Sequence, residues 1–171
     1  VTKVWEDNEN KNGLRPNYIY VQLKQNGAAF GSPVRLDASN NWRYQWTNLP
    51  KYKNVNNNEE HVYTVEEVGD VPGYESSVDG MTITNTLLRD ISIKKEWEGN
   101  SGESSVQVQL FKKDGNTYTA YGNVQTLNSG NEWKCTWKDL EVYDQEGKEI
   151  NYVPYEVDSS GNRIGEGTAI M

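Results

Sequence analysis

Along most of the chain, hydrophobic and polar residues alternate with a period of two. Ile91, Ile93, Lys95 and Trp97 share one parity, while Ser92, Lys94 and Glu96 take the other. Near the start, Val1, Lys3 and Trp5 repeat the pattern. Successive side chains of a strand point to opposite faces, so both runs predict strands with one face turned inward. That parity aims Lys3 and Lys95 at the interior, a costly place for an ammonium unless it is paired, neutralised or consumed by chemistry. Gly, Asn, Asp and Pro punctuate the short runs, and no segment holds a helical period. The expected fold is all-β, with about seven strands per domain packed as a two-layer sandwich.

The landmarks occur twice. Lys3-Val4-Trp5 returns as Lys95-Glu96-Trp97, and Val21-Gln22-Leu23 as Val108-Gln109-Leu110, each followed by a glycine turn at Gly27 or Gly115. Trp42 to Trp46 returns as Trp133 to Trp137, followed by Leu49 and Leu140, then Tyr52 and Tyr143. All six tryptophans fall into matched pairs, an ordered series that points to duplication. The expected domains are residues 1–88 and 89–171, each large enough for a modest core. Asn-rich stretches at Asp7 to Gly13 and Asn54 to Asn58 read as loops, the first longer than its counterpart Gly99 to Ser105. The junction near Leu88 lacks a Gly/Ser or Pro-rich spacer, which implies domains stacked end to end with limited swing.

Composition narrows the function. The 171 residues carry a formal net charge of -8, and no Lys/Arg cluster exceeds a pair, so nucleic acid and anionic membranes are poor partners. Mean hydropathy is -0.88, which requires a wet surface and small cores. No apolar run reaches the length of a membrane span and no signal peptide is present, as expected of an interior piece of a longer mature protein. The single cysteine, Cys135, excludes an internal disulfide and shares the parity of Trp133 and Trp137, which reads as a small buried residue. The lone histidine, His61, follows a polar loop and reads as solvated rather than as a general base. Glu59-Glu60 and Glu66-Glu67 are adjacent pairs whose members point apart along a strand, which argues against a carboxylate dyad. Asp7 to Gly13 is acidic, but Lys11 breaks the spacing of a calcium loop and no bidentate glutamate follows. No metal or cofactor is expected.

Three residues of the first domain break the apolar rule while keeping its parity. Lys3 lies with Val1 and Trp5, Asn85 with Met81, Ile83 and Leu87, and Glu67 with Tyr63 and Val65. Taken singly, they read as a snorkelling lysine, a strand-end amide and a solvated acid. Together, facing inward, they can satisfy one another. They can also react. Burial favours the neutral amine of Lys3 and the neutral acid of Glu67, which could donate to the Asn85 carbonyl. Attack of Lys3 Nζ on Asn85 Cγ would expel ammonia and leave an amide between side chains. The fold supplies the effective concentration that a poor electrophile needs.

Lys3-x-Trp5, Asn41-Trp42 to Trp46, Leu49-Pro50-Lys51-Tyr52, Tyr63-Thr64-Val65-Glu66-Glu67 and Ile83-Thr84-Asn85-Thr86 together resemble the Cna B-type domain of Gram-positive surface adhesins and pilins. The resemblance implies an inverse immunoglobulin-like sandwich with a spontaneous Lys-Asn isopeptide bond between Lys3 and Asn85, assisted by Glu67. The second domain resembles the family less closely. Lys95 matches the nucleophile, and Tyr152-Val153-Pro154-Tyr155-Glu156 matches the glutamate box, which gives Glu156 as the candidate acid. Pro154 stands where an aliphatic strand residue is expected. Gly167 to Met171 resembles Gly80 to Thr84 and stops one residue before the position matching Asn85, so no second crosslink is expected within these residues. Asp158 has the right parity but comes too early to replace the acceptor.

The resemblance implies a stalk repeat, exposed on the wall-anchored surface of a Gram-positive bacterium, whose partners are neighbouring domains of the same protein. A host extracellular-matrix protein would be engaged through other domains. The crosslink would form once, so no enzyme turnover is expected. A pull on the two ends of the first domain would reach the amide before peeling the strands between. The alternative is a binding module that recognises a host protein or glycan through exposed Tyr or Trp.

Overall fold

The computed structural model describes residues 1–54, 56, 58–99 and 102–164, which divide into two compact units, Val1–Leu88 and Arg89–Met171. The strands are β1 (Thr2–Glu6), β2 (Tyr18–Gln25), β3 (Ala28–Ala29), β4 (Val34–Asp37), β5 (Tyr63–Glu67), β6 (Tyr74–Asp79), β7 (Thr82–Lys94), β8 (Ser105–Asp114), β9 (Thr117–Asn128), β10 (Lys134–Glu141) and β11 (Tyr152–Val157). Residues 82–88 of β7 belong to the first unit and 89–94 to the second.

In the first unit, β1 pairs in parallel with β7, which sets Lys3 opposite Ile83 and Trp5 opposite Asn85. On its other side β7 pairs antiparallel with β6. A second sheet is built on β2, which takes β3 and β4 along one edge and β5 along the other, with Leu23 opposite Val65 and Val21 opposite Glu67. Ile19, Val21, Leu23, Leu36 and Val65 from this sheet meet Ile83 from the other in one apolar core. The alternation read from the sequence is the alternation of burial: Lys3 and Asp7 are buried while Val4 and Glu6 are exposed.

The second unit repeats the plan with longer elements. β8 and β9 form a hairpin, and β11 pairs with the free edge of β8. Ile93, Val108, Leu110, Leu127, Trp137, Leu140 and Tyr152 form its core. Phe111, Tyr155 and Val157 form a smaller cluster. Pro154 sits in β11, opposite Leu110. Among the described residues β8 is the only strand paired with β11, whose other side carries an isolated bridge from Val157 to Arg163 beyond Pro154, so that edge accommodates a residue without an N–H. Cys135 packs beside Trp133 and Trp137, where burial pushes its thiol up to about 11.

Two local devices are duplicated along with the fold. The register of β8 against β9 breaks between Val108 and Leu110, and the Gln109 amide donates to the carbonyls of Tyr121 and Gly122 at 2.8 and 3.1 Å. Gln22 does the same for Phe30 and Gly31. Gly122 (φ +75°) belongs to this irregularity, and a Cβ there would stand 3.6 Å from the Trp137 ring. Each unit also carries a short 3-10 helix closed by a reciprocal cap, Asp37 with Asn40 and Asn128 with Asn131.

The second unit shows five strands among the described residues, with one long β9 where the first unit has β3 and β4; the stretch Gly167 to Met171, expected to match Gly80 to Thr84, lies outside those residues. One expectation changes. The stretch 42–46, matched to Trp133 to Trp137 at the start of β10, does not form a strand. After a left-handed turn at Asn41 and Trp42, its pairing is limited to an isolated bridge between Thr2 and Arg43 and the bonds Lys3 N–H to Trp42 O and Tyr44 N–H to Val1 O.

Candidate functional site

Inside the first unit, Lys3 comes from β1, Asn85 from β7 in the same sheet, and Glu67 from β5 in the opposite sheet. Parallel pairing in register places Lys3, Trp5, Ile83 and Asn85 on one inward face. The Lys3 side chain is fully buried, Glu67 retains 5% exposure, and Asn85 is fully buried. Lys3 Nζ lies 2.7 Å from Glu67 Oε2, and Asn85 Nδ2 donates to Glu67 Oε1 and Oε2 at 3.1 and 3.2 Å. All three sequence candidates of this domain therefore meet at one point.

The contacts differ in detail from the expectation. Glu67 faces the amide nitrogen of Asn85 rather than its carbonyl oxygen, and both of its carboxyl oxygens accept from Nδ2. Lys3 and Glu67 form a buried ion pair. Asn85 Oδ1 and Trp5 Nε1 are buried with no hydrogen-bond partner. Burial lowers the Lys3 pKa, and the adjacent Glu67 carboxylate offsets this only in part. Nucleophile and leaving nitrogen thus both touch one carboxyl group, while the carbonyl oxygen of the electrophile is unclaimed.

A depressed lysine pKa has a sign for stability. The unfolded chain binds that proton more tightly, so an uncrosslinked protein gains stability as pH rises from the folded pKa toward the ordinary value of 10.5. In an Asn85→Ala background, denaturant titrations across alkaline pH should show this rise. Adding Lys3→Met should flatten it, and equal slopes in the two proteins would count against a destabilising charge at Lys3.

The second unit carries part of the arrangement. Lys95 Nζ lies 2.5 Å from Glu156 Oε1, with side-chain exposures of 22% and 24%, so this pair is wetter than the first. Lys95 stands 4.7 Å above the Trp97 ring, as Lys3 stands 4.6 Å above Trp5. The segment Gly167 to Met171, read as the counterpart of Gly80 to Thr84, lies outside the described residues. Asp158 is engaged elsewhere: its carboxylate accepts from the Ser160 and Asn162 amides in a turn, and those bonds lower its pKa.

One cluster was missed in the sequence. Asp7 is 1% exposed and accepts from Arg15 Nε at 3.0 Å and Nη2 at 2.5 Å, from Tyr74 Oη at 2.8 Å and from the Asn10 amide at 3.0 Å. Burial alone would raise its pKa, but these bonds and the Arg15 charge hold it below the usual value. The signal was present, since Asp7 continues the parity of Lys3 and Trp5. Among the described residues, no group of His, Cys, Asp and Glu is arranged to hold a metal ion.

Sheet topology and the twice-written landmarks define a tandem all-β sandwich repeat. The chain belongs to the Cna protein B-type domain family, whose model matches residues 1–86 and 91–169, giving two tandem copies. It is 36% identical over 162 residues to a collagen adhesin of Staphylococcus aureus, a match covering 89% of this chain and 13% of that protein. Among solved structures it is similar to a single B repeat unit (B1) of the collagen binding surface protein Cna of Staphylococcus aureus. That match has 30% identity and a TM-score of 0.46, and covers 92% of this chain and 83% of that one. It is also similar to the pilus adhesin SpaC from Lactobacillus rhamnosus GG in its open conformation, at 14% identity and a TM-score of 0.40, covering 94% of this chain and 22% of that one.

Proposed function

We propose that this chain is a stalk repeat of a bacterial surface adhesin, and that its first domain is closed by an autocatalytic amide between Lys3 and Asn85. The observation that carries the reading is the single Glu67 carboxyl group in contact with both Lys3 Nζ and Asn85 Nδ2. In a dry interior the uncharged amine and acid compete well with the ion pair, so a proton moves from Nζ to Glu67 and frees the lone pair. Nζ then attacks Asn85 Cγ. As that bond forms, Glu67 hands its proton to Nδ2, the Cγ–Nδ2 bond breaks, and ammonia leaves. The second proton shed by Nζ is taken by Glu67 and departs with the ammonia as ammonium, which restores the carboxylate. Condensation removes a buried cation whose desolvation is costly, and that relief supplies driving force.

The family and the adhesin relative support a role in holding other domains of a wall-anchored surface protein away from a Gram-positive cell, where binding to matrix proteins would reside in those other domains. None of the six tryptophans is exposed, which supports packing roles over a glycan-binding face. The expected intact mass is the sequence mass less one ammonia, and a tryptic digest should yield a branched peptide joining the Lys3 and Asn85 segments. Glu67→Gln should keep the ammonia. An unmodified parent mass would refute the crosslink.

A further inference from the structure

The two copies use one matched segment differently, and the first is left with an open groove beside it. In the second unit Trp133 to Trp137 runs into β10, Trp137 is buried in the core, and Lys134 pairs with Glu132 at 2.9 Å. In the first unit the matching residues 42–46 form no strand. Between residues 43–49 and the start of β1 lies a groove of about 520 Å³. That volume falls within the range of sites that hold small molecules.

Its wall is mostly apolar. Leu23, Trp46 and Leu49 line it and belong to the core of the first unit or pack against that core. Tyr44 and Met81 line it as well and are exposed, Tyr44 resting edge-on to Trp46 at 5.1 Å. Arg43 is the one charged side chain on the wall. The Val1 amine, also there, is spent on the Tyr44 carbonyl at 2.8 Å. The other four arginines are all engaged: Arg15 with Asp7, Arg35 with Asp37, Arg89 with Glu149, and Arg163 against the Tyr118 ring. Arg43 makes no ion pair and stacks on no ring among the described residues. An apolar groove in the first unit thus carries one uncommitted guanidinium.

We propose that this groove binds an amphiphilic monocarboxylate, its hydrocarbon tail against Leu23, Trp46 and Leu49 and its carboxylate on the Arg43 guanidinium. The tail contributes affinity in proportion to the apolar area taken from water. The guanidinium meets a carboxylate with two parallel N–H donors, a fit that an ammonium lacks. Charge sets the headgroup. On a chain of net charge -8, one free guanidinium neutralises one negative charge, and a dianionic headgroup would keep an excess that the protein repels. The second copy has no such vacancy to offer at this position, since Lys134 already holds the Glu132 carboxylate and Trp137 is already packed. This site is independent of the Lys3–Asn85 chemistry.

The test titrates octanoate, well below micelle-forming concentrations, into the full chain and follows indole N–H and methionine methyl signals by NMR. The Trp46 and Met81 signals should shift saturably, with Trp46 assigned through Trp46→Phe. Each two-carbon extension from butyrate to octanoate should tighten binding by about tenfold, and acetate should shift neither signal. In the parent, octanoate should bind about fivefold tighter than the neutral octanamide, the scale of an exposed charge pair. Arg43→Gln should erase that difference by weakening octanoate alone, while Lys134→Gln should bind octanoate as the parent does. Octanoate that leaves Trp46 and Met81 unmoved, or that binds no tighter than octanamide in the parent, overturns the proposal. So does a groove filled by a second copy of the chain, which would show as the same shifts on raising protein concentration without ligand.

Discussion

Asn85→Ala is expected to leave a folded first domain that melts about 20 °C below the parent. The variant removes the electrophile but keeps the Lys3–Glu67 pair, so it isolates the covalent closure better than removing either partner. By analogy with a disulfide of similar span, joining residues 3 and 85 removes unfolded-state entropy worth about 4 kcal/mol. Divided by the unfolding entropy of a domain this size, that becomes the stated shift. The small cavity left at residue 85 adds to it. Calorimetry of both proteins, each with its intact mass recorded, checks the claim. A crosslinked parent and an uncrosslinked variant with the same melting temperature would show that the amide contributes no thermodynamic stability.

The second large effect lies in the Asp7 cluster. Asp7→Ala should cost about 3 kcal/mol, because it strands a partly buried Arg15 and removes the acceptor of the Tyr74 hydroxyl. In the Asn85→Ala background this appears as a further fall of about 15 °C in the first transition. The pH dependence has a definite sign. Asp7 has a lowered pKa when folded, so its contribution is fully present above the ordinary value of 3.8 and is lost as pH falls through the folded value. The stability gap between proteins with and without the Asp7→Ala change should therefore narrow only in strong acid. A gap that closed near neutral pH would mean that Asp7 stabilises by some other route.

Much of this site was legible before any coordinates, because parity in a strand is a strict code. Lys3, Glu67 and Asn85 each broke an inward-facing apolar series, and β1, β5 and β7 brought them together. Asp7 carried the same code and was overlooked because the asparagines after it signal a loop, although the inward series runs one residue beyond the strand itself. What alternation cannot encode is which atom of a carboxamide faces which neighbour. The contact of Glu67 with Nδ2 instead of Oδ1, and with it the unclaimed oxygen, emerges only from three-dimensional packing. The departure at 42–46 was not legible: the left-handed backbone at Asn41 and Trp42 also occurs at Glu132 and Trp133, yet only the second copy goes on into a strand, β10. Nothing in Trp42 to Trp46 against Trp133 to Trp137 distinguishes them by hydrophobic pattern.

The parallel pairing of β1 with β7 bears on how the first domain responds to tension. Antiparallel neighbours pulled from the same end unzip one rung at a time, whereas a parallel pair drawn from opposite ends is loaded in shear, with its rungs sharing the strain. An amide between Lys3 and Asn85 would sit within that ladder, so force would cross from one strand to the next through covalent bonds. The residues between would then carry none of it, and the domain would transmit load at nearly constant length, as a link does in a chain.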